Sequence, residues 1–150
     1  MQPDRGSSLI YEQDYAEWLE ITLAQLENND LENIDWKHLI EEVAALGNEQ
    51  KHKVESYLRQ LLKHLLIYKY WEVEKAYCAK GWVEEIDNFR SELELLLESK
   101  VLYNHCQKIL EKTYSKARNN AIRKSQLSPE IFPAICPYDL TEILDPDWLP

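Results

Sequence analysis

The chain has 150 residues and a formal net charge of −10, a size that fits one domain able to bury a substantial core. Only 3 Gly, with 6 Pro gathered mostly at the ends, leave few places for hairpin turns, so strands are disfavoured and helices are expected throughout. No run approaches the roughly 20 uninterrupted apolar residues of a membrane helix, because the longest candidate, Leu61 to Trp71, contains Lys63, His64 and Lys69.

Residues 1 to 8 are polar, contain Pro3 and Gly6, and are expected to be flexible. They lack the apolar core and basic flank of a secretory signal, so a cytoplasmic location is expected. Tyr11, Tyr15, Trp18, Leu19, Thr22, Leu23 and Leu26 mark one face of a helix from about 9 to 28, with Ser7 or Ser8 as its cap. The side chains of Asn28, Asn29 and Asp30 compete for backbone hydrogen bonds and end it.

Asp35 is placed to cap the next helix, with Trp36 packing just inside its start. From there Trp36, Leu39, Ile40, Val43 and Leu46 form a first apolar seam. Val54, Leu58, Leu61, Leu65 and Tyr68 form a second, widened by Tyr57, Leu62 and Leu66. Gly47 and Asn48 between the seams predict two helices and not one rod. The stretch Glu72 to Gly81 is ambiguous, and Gly81 is expected to break the pattern so that Trp82 begins a new helix reaching about 98.

Ser99 then caps a helix whose Leu102, Cys106, Ile109, Leu110, Thr113, Ala117 and Ala121 face inward. Residues 126 to 150 are proline-rich and read as a tail pinned by Ile131, Phe132, Ile135, Trp148 and Leu149, with a short helical turn over Tyr138 to Leu144. The predicted fold class is therefore all-α: a single domain over 1–150, a bundle of about five helices with a partly irregular C-terminal tail packed on it.

Carboxylate proteins built on four helices bind paired metals through Glu-x-x-His motifs, which directs attention to Glu49 with His52 and to Asp35 with His38. Lys37, Lys51 and Lys53 stand beside these histidines and disfavour a dication, so both pairs are read as surface residues at helix starts, and no metal or other cofactor is expected. Asp14, Glu41 and His64 are the weak metal candidates that remain. His64 with Glu41 or Glu42 is the candidate catalytic pair, since an acid facing an imidazole is the arrangement of proton transfer. The plainer reading of His64 is a core-edge histidine bonded to a carboxylate or carbonyl.

His105 and Cys106 are adjacent and point about 100 degrees apart on a helix, too far for a nucleophile and its base. Cys78, Cys106 and Cys136 are odd in number, widely spaced and without a C-x-x-C pair, which suits free thiols. No glycine-rich phosphate loop, nucleophile elbow or dinucleotide fingerprint is present, so kinase, hydrolase and dehydrogenase readings have no support.

Charge is uneven: residues 99 to 128 hold seven basic residues against Glu111, a net of +6 that leaves −16 for the rest. Internal complementarity between this basic stretch, Lys100 to Lys124, and the acidic helices is the simpler reading, and nucleic-acid binding is disfavoured. Tyr57, Tyr68, Tyr70 and Trp71 beside Lys63 and Lys69 are read as core and not as a base-stacking platform. Ile67 and Tyr70 lie off the main seam and are expected to meet a protein partner or a second copy.

The tail from Phe132 to Pro150, FPAICPYDLTEILDPDWLP, resembles the ending of the bacterial family called domain of unknown function 29. Tyr11-Glu12-Gln13-Asp14-Tyr15 with Trp18-Leu19, Leu39-Ile40-Glu41-Glu42 with Leu46-Gly47, and Leu61-Leu62-Lys63-His64-Leu65-Leu66 are similar to that family's other motifs in the same order. Trp82 with Arg90, and Tyr114 with Ala117-Arg118, extend the resemblance over nearly the whole sequence, with a departure at Glu72 to Lys80. It implies an all-helical fold, many paralogues in photosynthetic bacteria and no established activity. It also marks Glu41, Glu42, His64, Arg118 and the Cys136-Pro137 tail as motif positions without assigning them roles.

The function expected from the sequence is a protein-interaction or regulatory module without membrane association. Two alternatives stand beside it: an enzyme or metal protein built on Glu41, Glu42 and His64, and one component of a toxin–antitoxin pair. The interaction reading requires an exposed apolar patch of roughly several hundred Å².

Overall fold

Asp14 breaks the first predicted helix in two. The structure, a computed structural model, describes residues 5–150, with side chains from residue 9 onward. Helix α1 spans Arg5–Gln13 and α2 spans Tyr15–Glu27; Asp14 between them is extended and its carboxylate accepts the Glu17 amide at 3.1 Å. The backbone is already helical from Arg5, so Ser7 and Ser8 lie inside α1 and not at its cap; residues 1–4 of the segment expected to be flexible lie outside the described residues. Asn28 and Asn29 end α2 as predicted, Asn29 in the left-handed region that its short polar side chain tolerates.

Helix α3, Trp36–Tyr70, is a single rod through Gly47 and Asn48, contrary to the predicted break. A glycine weakens a helix by roughly 1 kcal/mol but breaks it only where the backbone must turn, and here the flanking residues are strong helix formers. Gly81 is passed in the same way by α4, Glu72–Leu96, so Trp82 continues a helix and does not start one. The real interruption is Trp71, which lies between α3 and α4 with non-helical backbone angles.

Ser99 caps α5, Lys100–Ser125, through its hydroxyl and the Leu102 amide. A 3-10 turn at Pro129–Ile131 and the short helix α6, Leu140–Leu144, occupy the tail. The described residues hold no strand, and the fold is all-helical.

The protein divides into two compact units, Met1–Glu49 and Gln50–Pro150. In the C-terminal unit α3, α4 and α5 pack as a bundle. Val54, Leu58, Leu61, Leu62, Leu65 and Leu66 are fully buried against Ile86, Leu93, Cys106, Ala117 and Ala121, and burial of each large aliphatic group contributes about 1.5–3 kcal/mol. The tail completes this core. Phe132 and Ile143 are buried, Arg118 donates to the carbonyls of Phe132 and Pro129, and Tyr114 donates to that of Pro133. Ile67 is buried as well and Tyr70 packs edge-on against Phe132, so the surplus reserved for a partner is consumed within the unit. Among the predicted tail anchors, Ile131, Ile135 and Leu149 are instead exposed.

The N-terminal unit is built differently. Among its described residues the buried apolar side chains are Trp18 and Ile34, accompanied by the buried polar groups of Thr22, Asp35 and His38.

Candidate functional site

Polar side chains fasten the N-terminal unit where apolar burial is thin. Asp35 is the hub: its Oδ2 meets His38 Nδ1 at 2.6 Å and accepts the Trp18 indole at 3.2 Å, while its Oδ1 takes the His38 amide. Asp35 thus caps α3 as predicted, but Asp35 and His38 are a buried pair and not the surface residues expected. Their burial is explained by Tyr11, whose ring stacks on His38 with centroids 3.8 Å apart, and by Trp18 edge-on to Tyr11.

Glu42 is the second node. It accepts the hydroxyls of Tyr11 and Tyr15, each at 2.6 Å, tying α1 and α2 to α3. Both bonds hold the carboxyl below its usual range, and the same bonds push the phenols up, Tyr11 to about 12. Glu42 stays ionised and its two phenols stay protonated. Glu41, its neighbour, is exposed and adds its charge to those acting on Tyr11. Asp14 is engaged as the α2 cap.

His64 has a different set of partners in the C-terminal unit. Its Nδ1 lies 2.7 Å from the Gln60 carbonyl and its ring faces Phe89, and burial lowers its pKa. Glu42 belongs to the N-terminal unit and His64 to the C-terminal one, and each is engaged within its own unit. Glu55, which the sequence also sets beside the second seam, pairs with Lys116 at 2.8 Å, a case of complementarity between the basic stretch and an acidic residue. Among the described residues no three His, Cys, Asp or Glu side chains gather as metal ligands. The three cysteines are free, and burial pushes the Cys106 and Cys136 thiols up to about 11, far from thiolate reactivity.

What surrounds the polar network is apolar and uncovered. Leu19, Leu23 and Leu26 recur along α2, and Trp36, Ile40 and Val43 recur along α3, at the spacing that places each trio on one side of its helix. All six are exposed, Leu23 by 57%, Ile40 by 64% and Val43 by 61%, with Leu46 beyond them. Trp36, predicted to pack inside, is half exposed and donates its indole to the Leu31 carbonyl. The first seam is therefore a surface. Periodicity revealed the stripes but carries no information on whether a partner element covers them.

Acidic groups frame these stripes. Residues 1–49 hold twelve carboxylates against Arg5 and Lys37, a net of −10, whereas residues 50–150 hold fifteen of each sign and are neutral. The entire formal charge of the protein thus resides in the N-terminal unit, with Glu20, Glu27, Glu32 and Glu41 exposed among the apolar positions.

Fold and site together define an all-helical protein in which no described helix is long and apolar enough to cross a membrane. It belongs to the family described as Domain of unknown function DUF29, which matches residues 10–149. No curated protein and no solved structure matches it.

Proposed function

We propose that the protein is an interaction module whose N-terminal unit docks a basic amphipathic helix of another protein. The observation that carries this reading is the contrast between two buried apolar side chains, Trp18 and Ile34, and the seven exposed aliphatic and indole groups of α2 and α3. So small an apolar core is ordinarily supplemented by a partner, and side chains at i, i+4 and i+7 are the anchors of helix-in-groove recognition. Charge selects the occupant. A second copy would bring another N-terminal unit of net charge −10, while a helix with lysine or arginine along its flanks would meet Glu20, Glu27, Glu32 and Glu41.

Titration calorimetry with the full-length protein tests this, using an amphipathic helical peptide of leucine and lysine and its leucine and glutamate counterpart. The basic peptide is expected to bind, more weakly as salt rises, and the double variant Ile40→Ser with Val43→Ser to lose about tenfold or more in affinity. Equal binding of the acidic peptide, an unchanged affinity in the double variant, or self-association through this face in sedimentation would each overturn the reading.

A further inference from the structure

The C-terminal unit is neutral as a whole, but its charge is unevenly placed. His52, Glu55, Ser56 and Arg59 stand at i, i+3, i+4 and i+7 on one side of α3, and Lys112 and Lys116 at i and i+4 on one side of α5. These six line a cavity of about 410 Å³, within the roughly 300–1,000 Å³ of small-molecule sites. His52, Ser56, Lys112 and Lys116 are exposed, so their polar groups are open to a solute.

The charged ends converge. Lys116 donates to Glu55 Oε1 at 2.8 Å, and that bond, with the charges of Lys112 and His52 added to it, holds the Glu55 carboxyl below its usual range. Within the unit Glu55 pairs with Lys116, which leaves Arg59 and Lys112 without a carboxylate partner among its described residues. Internal complementarity therefore accounts for one cation of three. Like charges at i and i+4 repel, so Lys112 beside Lys116 works against α5 unless an anion joins them.

The lining also states what kind of anion fits. Three cations against one carboxylate leave a net of +2 with His52 neutral, which a phosphate monoester, carrying about −1.5 to −2 at pH 7, would balance. No lining side chain is apolar or aromatic, so a nucleobase or an acyl chain has no surface to lie on. Glu55 repels a bare polyanion, but its Oε2 has no donor within the unit and can accept a ligand hydroxyl.

We propose that this cavity binds a small phosphorylated polyol of the sugar-phosphate class, its phosphate on Lys112 and Lys116 and a hydroxyl on Glu55. Lysine has three donors, so Lys116 keeps Glu55 in place while it meets the phosphate. Arg59 adds charge to the same wall and the Ser56 hydroxyl a further polar contact. The site is independent of the helix-docking face, being built from residues of the C-terminal unit alone.

The test is titration of the full-length protein, followed by calorimetry and amide chemical shifts, with glucose 6-phosphate, ribose 5-phosphate and glycerol 3-phosphate as probes. At least one is expected to bind and to shift the amides of His52, Ser56, Lys112 and Lys116. Glucose, which lacks the phosphate, and inorganic phosphate, which lacks the polyol, should each bind about tenfold more weakly or worse. Lys112→Gln, a change at an exposed position, should weaken the bound phosphate ester about tenfold without unfolding the protein. Glu55→Gln should weaken the ester and strengthen inorganic phosphate, since it removes both the hydroxyl acceptor and the repulsion. The proposal is overturned by binding of none of the three esters, by inorganic phosphate binding as tightly as the best of them, by an unchanged affinity in Lys112→Gln, or by an oligonucleotide or a polyglutamate peptide displacing the ester at lower concentration, which would mark the face as one for a polymer.

Discussion

The Tyr11 hydroxyl reaches the Glu42 carboxylate at 2.6 Å across a sequence separation of 31, and the Tyr11 ring stacks on His38 one turn away. One tyrosine therefore joins both polar nodes of the N-terminal unit, and its ionisation reports on them.

Raising the pH should loosen this unit late. Because the Tyr11 and Tyr15 pKa values are raised by Glu42, their contribution to stability is fully present below the ordinary phenol value near 10 and is lost as pH climbs through the raised values, about 12 for Tyr11. Glu42 works in the opposite direction: its pKa is lowered, so its contribution is present above the ordinary carboxylate value of about 4.3 and disappears as pH falls through the depressed one. Ultraviolet titration should show Tyr11 and Tyr15 ionising above the ordinary phenol range, and Glu42→Gln should bring both back toward it.

His64 should titrate below about 6.5, since burial disfavours the imidazolium. With a depressed folded value, its contribution is present above the unfolded pKa and is lost as pH falls through the folded one. Histidine proton resonances followed against pH measure this directly. A midpoint above the ordinary value would contradict the burial of the ring, since the bond to the Gln60 carbonyl acts in the raising direction.

Gly47→Ala and Gly81→Ala should each stabilise the protein by about 0.5–1 kcal/mol. Both glycines lie inside helices, and a Cβ at either would meet no atom within 4 Å. Thermal unfolding of the two variants would reveal a helix break at either position as a loss of stability in place of the gain.

Truncations along α3 should divide at the boundary between the units. Leu65→Ala removes a fully buried isobutyl group and should cost about 2–5 kcal/mol, whereas Ile40→Ser, at an exposed position, should stay within about 0.5 kcal/mol. Urea unfolding measures both, and a large loss at Ile40 would mean that its stripe is covered in solution.

Tyr114→Phe should cost about 1–3 kcal/mol, because the Pro133 carbonyl loses its donor in a partly buried place. Hydrogen exchange should then speed up in α6 and the preceding turn, which Arg118 and Tyr114 hold onto α5.

Composition and periodicity by themselves determined the helical class, the positions of Asp35 and Ser99 as caps, the inward face of α5 and the short helix in the tail, because each depends on near neighbours in the sequence. They misread Gly47 and Gly81, where a glycine's cost of roughly 1 kcal/mol is too small to interrupt a helix that continues on both sides. They also missed the break at Asp14, although its capping carboxylate was a usable signal. Tertiary structure alone decided which apolar stripes are covered: Ile67 is buried and Tyr70 packs against Phe132 of the tail, while Leu23, Ile40 and Val43 are left open. It alone joined Tyr11, Glu42, Asp35 and His38, and set Lys112 and Lys116 beside Glu55. Helical spacing states which residues share a face, but what lies opposite that face depends on residues distant in the sequence, and no local pattern encodes it.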